Sequence, residues 1–413
     1  MKNYFFLFLL FFAISTASAQ FIESEWVRQF KGQINEDTLS YSEGNLIAID
    51  GDGNIIIAGT FKGTVDFDPT AGVAEQETAV RGQMYISKLN PDGNLIWVKT
   101  VTSKISALGR SLVVDDYGNI YITGQFTDSV RFSPGNNTFN FFADAYNAFV
   151  LKMSPSGEII WAKQMKSFHN CIGETLVIDK WNNLYVGGTF KGETEFAVGN
   201  PLYVRQPRRD KDIFITKMNL AGDVLWVKQF KSYSRSPTGN KTVKLAVDQS
   251  GNLFSAGIFK DSTDFDPGSS EYILKSESYE PDVFICKLNE LGQFIWARKI
   301  GGLGYKHAES ISIYGNGDLL ITGIFNGTVD FDPGSGSFHM DASDTANNKL
   351  FLLKLDSAGQ FQWAKQTAGW QGFSHITDRN AQLDFSGNIY IAGMFRGKSD
   401  FDPDKDSFLL QQQ

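Results

Sequence analysis

Cysteine is scarce in this 413-residue chain, with only Cys171 and Cys286 present. A disulfide-stapled scaffold would carry more cysteines at regular positions, so two free thiols are expected. Basic excess is missing as well. The 38 Lys+Arg against 46 Asp+Glu leave a formal net charge of −8. Nucleic acid needs a basic footprint on its partner, so no nucleic acid is expected. Persistent helical periodicity is absent. After the first residues no apolar run is long enough to span a membrane. Aromatics, by contrast, are plentiful: 35 Phe and 8 Trp suit a core of flat, tightly stacked sheets.

The single apolar run is N-terminal. Lys2 precedes the stretch from Tyr4 to Ile14, and Ala17-Ser18-Ala19 supplies small residues at a cleavage point. That order is a secretory signal with cleavage between Ala19 and Gln20. The run is shorter than the roughly 20 residues a span requires, and no Cys at the cleavage point marks a lipoprotein. The expectation is a signal peptide over 1–19 and an exported repeat domain over 20–413, secreted or at the cell surface.

Asn-(Ile/Leu)-x-x-x-Gly-x-Phe recurs six times, ending at Phe61, Phe126, Phe190, Phe259, Phe325 and Phe395, with Asp318 in the Asn place once. The phenylalanines lie 65, 64, 69, 66 and 70 residues apart, so one structural unit is copied in tandem. A copied unit offers no special catalytic position, which lowers the expectation of an enzyme. In the second copy, Ser111 to Asp115, Ile120 to Phe126, Ala148 to Met153 and Glu158 to Lys163 read as four short antiparallel strands. Turns such as Asp116-Tyr117-Gly118-Asn119 join them. Strands such as Asp282 to Leu288 are apolar on both faces and must lie between neighbouring sheets. Four-stranded sheets stacked in a ring are the blades of a β-propeller.

The fold class expected is therefore all-β, a propeller of about six four-stranded antiparallel blades by the repeat count. Each fourth strand carries a tryptophan, at Trp97, Trp161, Trp226, Trp296 and Trp363. Trp26, in Trp26-Val27-Arg28-Gln29, matches Trp226-Val227-Lys228-Gln229. The mature chain thus opens on a fourth strand, which is expected to close the ring by completing the last blade and so remove an exposed edge. The sixth copy stops before its third strand. Either the chain continues beyond Gln413 or the last blade is incomplete, and the liability of an open edge favours the first.

These residues resemble the secreted bacterial β-propeller repeat family. The resemblance rests on Asp384-Phe385-Ser386-Gly387-Asn388-Ile389-Tyr390-Ile391-Ala392-Gly393, Asp212-Ile213-Phe214-Ile215-Thr216-Lys217-Met218 and Gly222-Asp223-Val224-Leu225-Trp226. The Asp-Phe-Asp-Pro segments resemble copies in exported proteins of gliding-type bacteria, many of which end in a type IX secretion sorting domain. The resemblance covers nearly the whole mature chain. It implies a propeller and export, and no defined activity.

Asp-Phe-Asp-Pro stands at Asp66 to Pro69, Asp264 to Pro267, Asp330 to Pro333 and Asp400 to Pro403. Paired carboxylates suit Ca²⁺. Copies two and three lose the pair (Arg131-Phe132-Ser133-Pro134 and Glu195-Phe196-Ala197-Val198) but keep Phe. Packing between copies, with Asp and Pro setting the turn, is the favoured reading. Arg205, Arg208, Arg209 and Lys211 form a local basic patch, read as a solvated loop. In a propeller the first strand lines the central channel. Its polar residues Arg110, Glu174, Glu309 and Arg379, with His169, His307 and His375 from the preceding loops, are the candidate channel-mouth binding residues. Ion pairing between neighbouring copies is the plainer account of the same residues. No catalytic set, metal site or cofactor is expected. The chain is read as a monomeric, non-catalytic scaffold or binding module with an unknown protein or glycan ligand. The alternative is a carbohydrate-active hydrolase or lyase using the channel face.

Overall fold

The computed structural model describes residues 10–12, 26–32, 34–35, 38–133, 138–234, 243–276, 280–342, 348–369, 381–383, 388–391, 398–400 and 409–411. Among these, the three-residue 3₁₀ turn Pro201–Tyr203 is the sole helical element, and all strand pairs are antiparallel. The chain divides into two compact bodies, one formed by 19–229 and the other by 1–18 with 230–413.

The first body holds copies one to three as far as Gln229, and the end of copy three's fourth strand, from Phe230, belongs to the second. Copy one runs Tyr41–Ile49, Ile55–Asp66, Glu75–Leu89 and Leu95–Ser103. Copy two runs Ser106–Val114, Ile120–Phe132, Phe139–Met153 and Ile159–Ser167. Copy three runs Cys171–Ile178, Leu184–Phe190, Asp212–Met218 and Val224–Ser232. The second body holds copy four (Val243–Val247, Leu253–Phe259, Asp282–Leu288, Phe294–Leu303) and copy five (Lys306–Ile313, Leu319–Phe325, Lys349–Leu355, Phe361–Gln366). Of copy six, Ala381–Leu383 pairs with Ile389–Ile391. Leu10–Phe12, within the expected signal segment, pairs with the other edge of Ile389–Ile391.

Each strand order is a simple meander, because tight turns join neighbours. The first-to-second turn needs a residue with positive φ. Gly118 supplies it at 77°, while copy three uses Asn182 at 63°, a residue that tolerates the left-handed region. The sheets stack through mixed cores. Ile56, Ala58, Met84 and Ile86 of copy one meet Leu112, Ile120 and Ile122 of copy two. Tyr121 and Val150 of copy two meet Leu176, Val186 and Phe214 of copy three. Copies four and five meet in the same way through Ile285, Ile311, Ile321 and Leu353.

Two features of the stacking escape a reading of strands alone. First, the chain at or just after the fourth-strand position pairs with the segment that follows the next copy's Gly-x-Phe. The pairs are Lys31↔Asp66, Thr102↔Arg131, Lys166↔Glu195, Lys231↔Asp264, Gly301↔Asp330 and Ala368↔Asp400. The Asp-Phe-Asp-Pro segment begins at this seam. Its Phe is buried (Phe67, Phe265 and Phe331, all 0% exposed) against the Gly-x-Phe ring at 5.1–5.5 Å. Phe30 and Phe230, just before the crossing strands, join from 5.2 Å.

Second, tryptophans clamp neighbours. Trp97 Nε1 and Lys88 Nζ both donate to Pro155 O of the next copy, and Trp161 Nε1 and Lys152 Nζ to Leu220 O. Trp26 Nε1 donates to Pro91 O in the same manner. It occupies the place of a preceding copy's tryptophan although residues 26–30 form no strand.

Both cysteines are free and fully buried. Burial pushes the Cys171 thiol up to about 12, and Cys286 also rises. The native protein is therefore expected to resist thiol alkylation at pH 8, with both thiols reacting only after unfolding. A mass shift on the native chain at the unfolded rate would contradict that burial.

Candidate functional site

The candidate residues trace to one backbone device. In four copies the first strand carries an extra residue opposite the second strand's Gly-x-Phe. The register jumps between Gly44 and Leu46, Gly109 and Ser111, Gly173 and Thr175, and Ala308 and Ser310. The extra residues are Asn45, Arg110, Glu174 and Glu309. A β-bulge bends the strand and re-aims this side chain.

The bulge accounts for the motif glycine. A Cβ on Gly59, Gly124, Gly188 or Gly323 would lie 1.8–2.0 Å from the carbonyl oxygen of Glu43, Leu108, Ile172 or His307. No side chain fits there, which fixes glycine in these four copies.

Around the bulges the side chains differ by copy. Arg110 Nη2 reaches Gln125 Oε1 at 3.4 Å. Glu174, 8% exposed, accepts from the Thr189 hydroxyl at 3.2 Å. Gln125 and Thr189 are the middle residues of Gly-x-Phe, a position that is polar in the first three copies and isoleucine in copies four and five. Gly173 sits directly against Thr123 and the Gly124 carbonyl, which places the Glu174 bulge beside the second strand of copy two. Arg110 is held by Gln125 rather than in an ion pair.

In the other body, His307 Nδ1 lies 2.9 Å from Glu309 Oε1, an ion-pair distance within one strand. Tyr305 stacks parallel to His307 at 6.3 Å. Burial, then the charges of Glu309 and Glu280, hold the Tyr305 phenol above its usual range. Lys306 Nζ, fully buried, lies 2.9 Å from Asp282 Oδ1. His169 is exposed in its loop, with its ring against Gly192. His375, Arg379 and the Ala19–Gln20 cleavage point lie outside the described residues.

The recurring acids are committed elsewhere. Asp66 Oδ1 accepts from the amides of Asp68 and Ala74, Asp264 Oδ1 from Asp266 and Tyr272, and Asp330 Oδ1 from Asp332 and Phe338. The second Asp of each segment caps Thr70, Gly268 or Gly334. Among the described residues no group of three or more His, Cys, Asp or Glu could hold a metal. The basic patch is partly structural, since Arg205 donates to the carbonyls of Leu202, Val204 and Val227.

The first-to-second turns carry a further charged set. Asp50 accepts from the Asp52 and Asn54 amides and from Asn54 Nδ2, and pairs with Lys88 at 2.8 Å with both side chains under 10% exposed. Lys354–Asp318 repeats it at 2.9 Å. Burial alone would raise the Asp50 carboxyl. The bonds from Lys88 and Asn54 outweigh it and hold the group below 3.8, and Asp318 moves the same way through Lys354 and Asn316. A depressed carboxyl stabilises the fold fully above its unfolded value and loses that contribution as pH falls through the folded one. Asp50→Asn should therefore flatten the stability–pH curve below about pH 4, measured by urea unfolding. An unchanged acid limb would contradict the assignment.

No family model matches the chain. It is 23% identical over 425 residues to an uncharacterized WD repeat-containing protein of Acanthamoeba polyphaga mimivirus, an alignment covering 86% of this chain. It spans only 30% of that curated relative's length. Solved structures that align with it include a protein of unknown function from Bacteroides caccae (12% identity, TM-score 0.36, 79% of this chain and 82% of that one). A protein of unknown function from Dyadobacter fermentans aligns at 9% identity and TM-score 0.39, over 86% and 95% of the two chains. A member of the DUF4221 family from Bacteroides vulgatus aligns at 10% identity and TM-score 0.35, over 89% and 98%. The chain is an all-β, antiparallel repeat protein of propeller-like character, similar in sequence to a WD repeat protein.

Proposed function

We propose that this chain is an exported, non-catalytic binding module of the secreted bacterial propeller kind, acting outside the cytoplasm or at the cell surface as a monomer without cofactor. One observation carries the reading. The residues that recur between copies hold the frame, whereas one equivalent bulge position bears Asn45, Arg110, Glu174 or Glu309. A constant frame that changes a polar side chain at one fixed position, exposed at Asn45 and buried at Glu174 and Glu309, suits recognition rather than packing.

A closed ring of about six blades is part of the proposal. Its support is the bare face of copy one. Ile47 and Ile49 are 59% and 67% exposed, while Leu112, the equivalent of Ile47 in copy two, is 2% exposed beneath its neighbour. A ring-closing neighbour would cover them.

A broad glycan and protein array tests the binding role. The wild-type chain should bind, and Arg110→Gln with Glu174→Gln should weaken that binding. Equal binding by both would remove the bulges from function. Export is tested by N-terminal sequencing of the mature protein, which should start at Gln20.

The second reading is a carbohydrate-active enzyme. It rests on Glu174 and Glu309, two carboxylates at least 90% buried, the second beside His307.

A further inference from the structure

The seams between copies open outer grooves, and the repeat makes those grooves comparable. At the seam of copies four and five a groove of about 750 Å³ is lined by Arg298, Lys299, Asp330, Asp332 and Gln360. At the equivalent seam of copies one and two a smaller groove of about 250 Å³ is lined by Thr102, Lys104, Ser129, Arg131, Asn140 and Phe142. The key position differs in charge. Arg131 stands where the other copies have Asp66, Glu195, Asp264, Asp330 and Asp400. In three copies that acid faces a lysine (Lys31↔Asp66, Lys166↔Glu195, Lys231↔Asp264) and in two a small residue (Gly301↔Asp330, Ala368↔Asp400), whereas Arg131 faces Thr102.

The second and third strands of copy two run on as a ribbon, with Ser129↔Phe142 and Arg131↔Asn140 in register. Period-2 alternation then puts Asn140, Phe142, Asp144 and Tyr146 on one face. Phe142 is 72% exposed and Tyr146 40%. Gln164 Nε2 donates to Phe142 O at 2.9 Å and anchors the strand from its other edge. Lys104 is neutralised by Asp128 at 3.0 Å. The guanidinium of Arg131 is left as the cation available to a ligand, beside an exposed ring and the polar groups of Thr102, Ser129 and Asn140.

We propose that this groove binds one carboxylated pyranose, a uronate residue of a glycan, with its sugar face on Phe142 and its carboxylate on Arg131. The inference rests on the binding-module reading and names a second, outer site for it. An exposed aromatic face offers apolar area that a flat sugar ring can cover. A planar guanidinium matches a carboxylate through two parallel N–H donors. The groove's volume lies just under the roughly 300 Å³ at which drug-sized pockets begin, which suits a single ring.

The test is calorimetric titration of the full chain with trigalacturonate, with cellotriose as the neutral probe. Trigalacturonate should bind, and Phe142→Ala and Arg131→Asp should each weaken it roughly tenfold or more. Arg131→Asp installs the residue that four other copies carry, so the fold is expected to persist; an unchanged melting temperature checks this. Cellotriose should bind more weakly and be indifferent to Arg131→Asp. Absence of trigalacturonate binding by the wild-type chain overturns the site, as does equal binding by the variants or a preference for cellotriose. If the variants bind normally while the bulge substitutions weaken array binding, this groove falls and the binding-module reading stands.

Discussion

Replacing Gly188 by alanine is expected to cost more than about 3 kcal/mol and to leave little folded protein at 37 °C. The new methyl group would lie 1.9 Å from Ile172 O and 2.8 Å from the Phe214 ring. The carbonyl belongs to a bulge fixed by ladder bonds on both sides of it, so it cannot retreat without breaking the pairing of Cys171–Ile178 with Leu184–Phe190. Ordinary overpacking costs about 1–3 kcal/mol because side chains can give way, but here the obstruction is backbone. The control is Gly51→Ala, where a Cβ would meet nothing within 4 Å. Urea unfolding should show the control near wild type and Gly188→Ala far below it. A loss under about 1 kcal/mol at Gly188 would mean that the bulge does not press on the motif glycine.

The second large effect is expected at Asp50. Its carboxylate closes the turn through the Asp52 and Asn54 amides and neutralises Lys88 in a buried pair. Asp50→Ala removes all of these and leaves a buried ammonium without its counter-charge, a change worth about 3–5 kcal/mol. Asp50→Asn keeps an acceptor for the turn and loses only the charge, so it should cost distinctly less. Lys88 also reaches Pro155 O of copy two, so the loss should spread beyond copy one. Hydrogen exchange checks this, with faster exchange expected in both copies one and two. Equal stability of Asp50→Ala and Asp50→Asn would show that the pair contributes nothing beyond the turn.

The repeat was legible because packing repeats. The spacing of Phe61, Phe126, Phe190, Phe259 and Phe325 located the second strands, and turns such as Asp115 to Asn119 located the first and third hairpin ends. What stayed hidden depends on backbone placement. The bulge inserts one residue into a short apolar strand, and Gly109-Arg110-Ser111 reads simply as an interruption of alternation. The glycine of Gly-x-Phe is fixed by the carbonyl of Leu108 or Ile172 pressing on it. The seam strands were missed because Thr102-Ser103 and Ser129 to Phe132 carry no strong strand signal of their own. They pair because the stacking of copies brings them together.

The site residues were legible as polar interruptions, and their partners were not. Arg110 and Glu174 were expected to pair with each other. Instead each is held by the middle residue of its own Gly-x-Phe, Gln125 and Thr189. The turn-setting role expected of the Asp-Phe-Asp-Pro acids matches their Oδ1 atoms, which accept from the backbone amides of their own loops. The outer groove was missed for a different reason. Arg131 appeared only as the loss of an acid, and its meaning depends on Phe142, which the ribbon register sets beside it.

Under the proposed function the frame binds glycan or protein without catalysis. The direct measurement is incubation of the wild-type chain and Glu174→Gln and Glu309→Gln with a panel of neutral and uronate glycans, following both reducing-end and unsaturated-product release. Bound glycan should be recovered intact, with no product above the protein-free control for any chain. Product release by the wild-type chain that either substitution abolishes would contradict it and make the buried carboxylates catalytic.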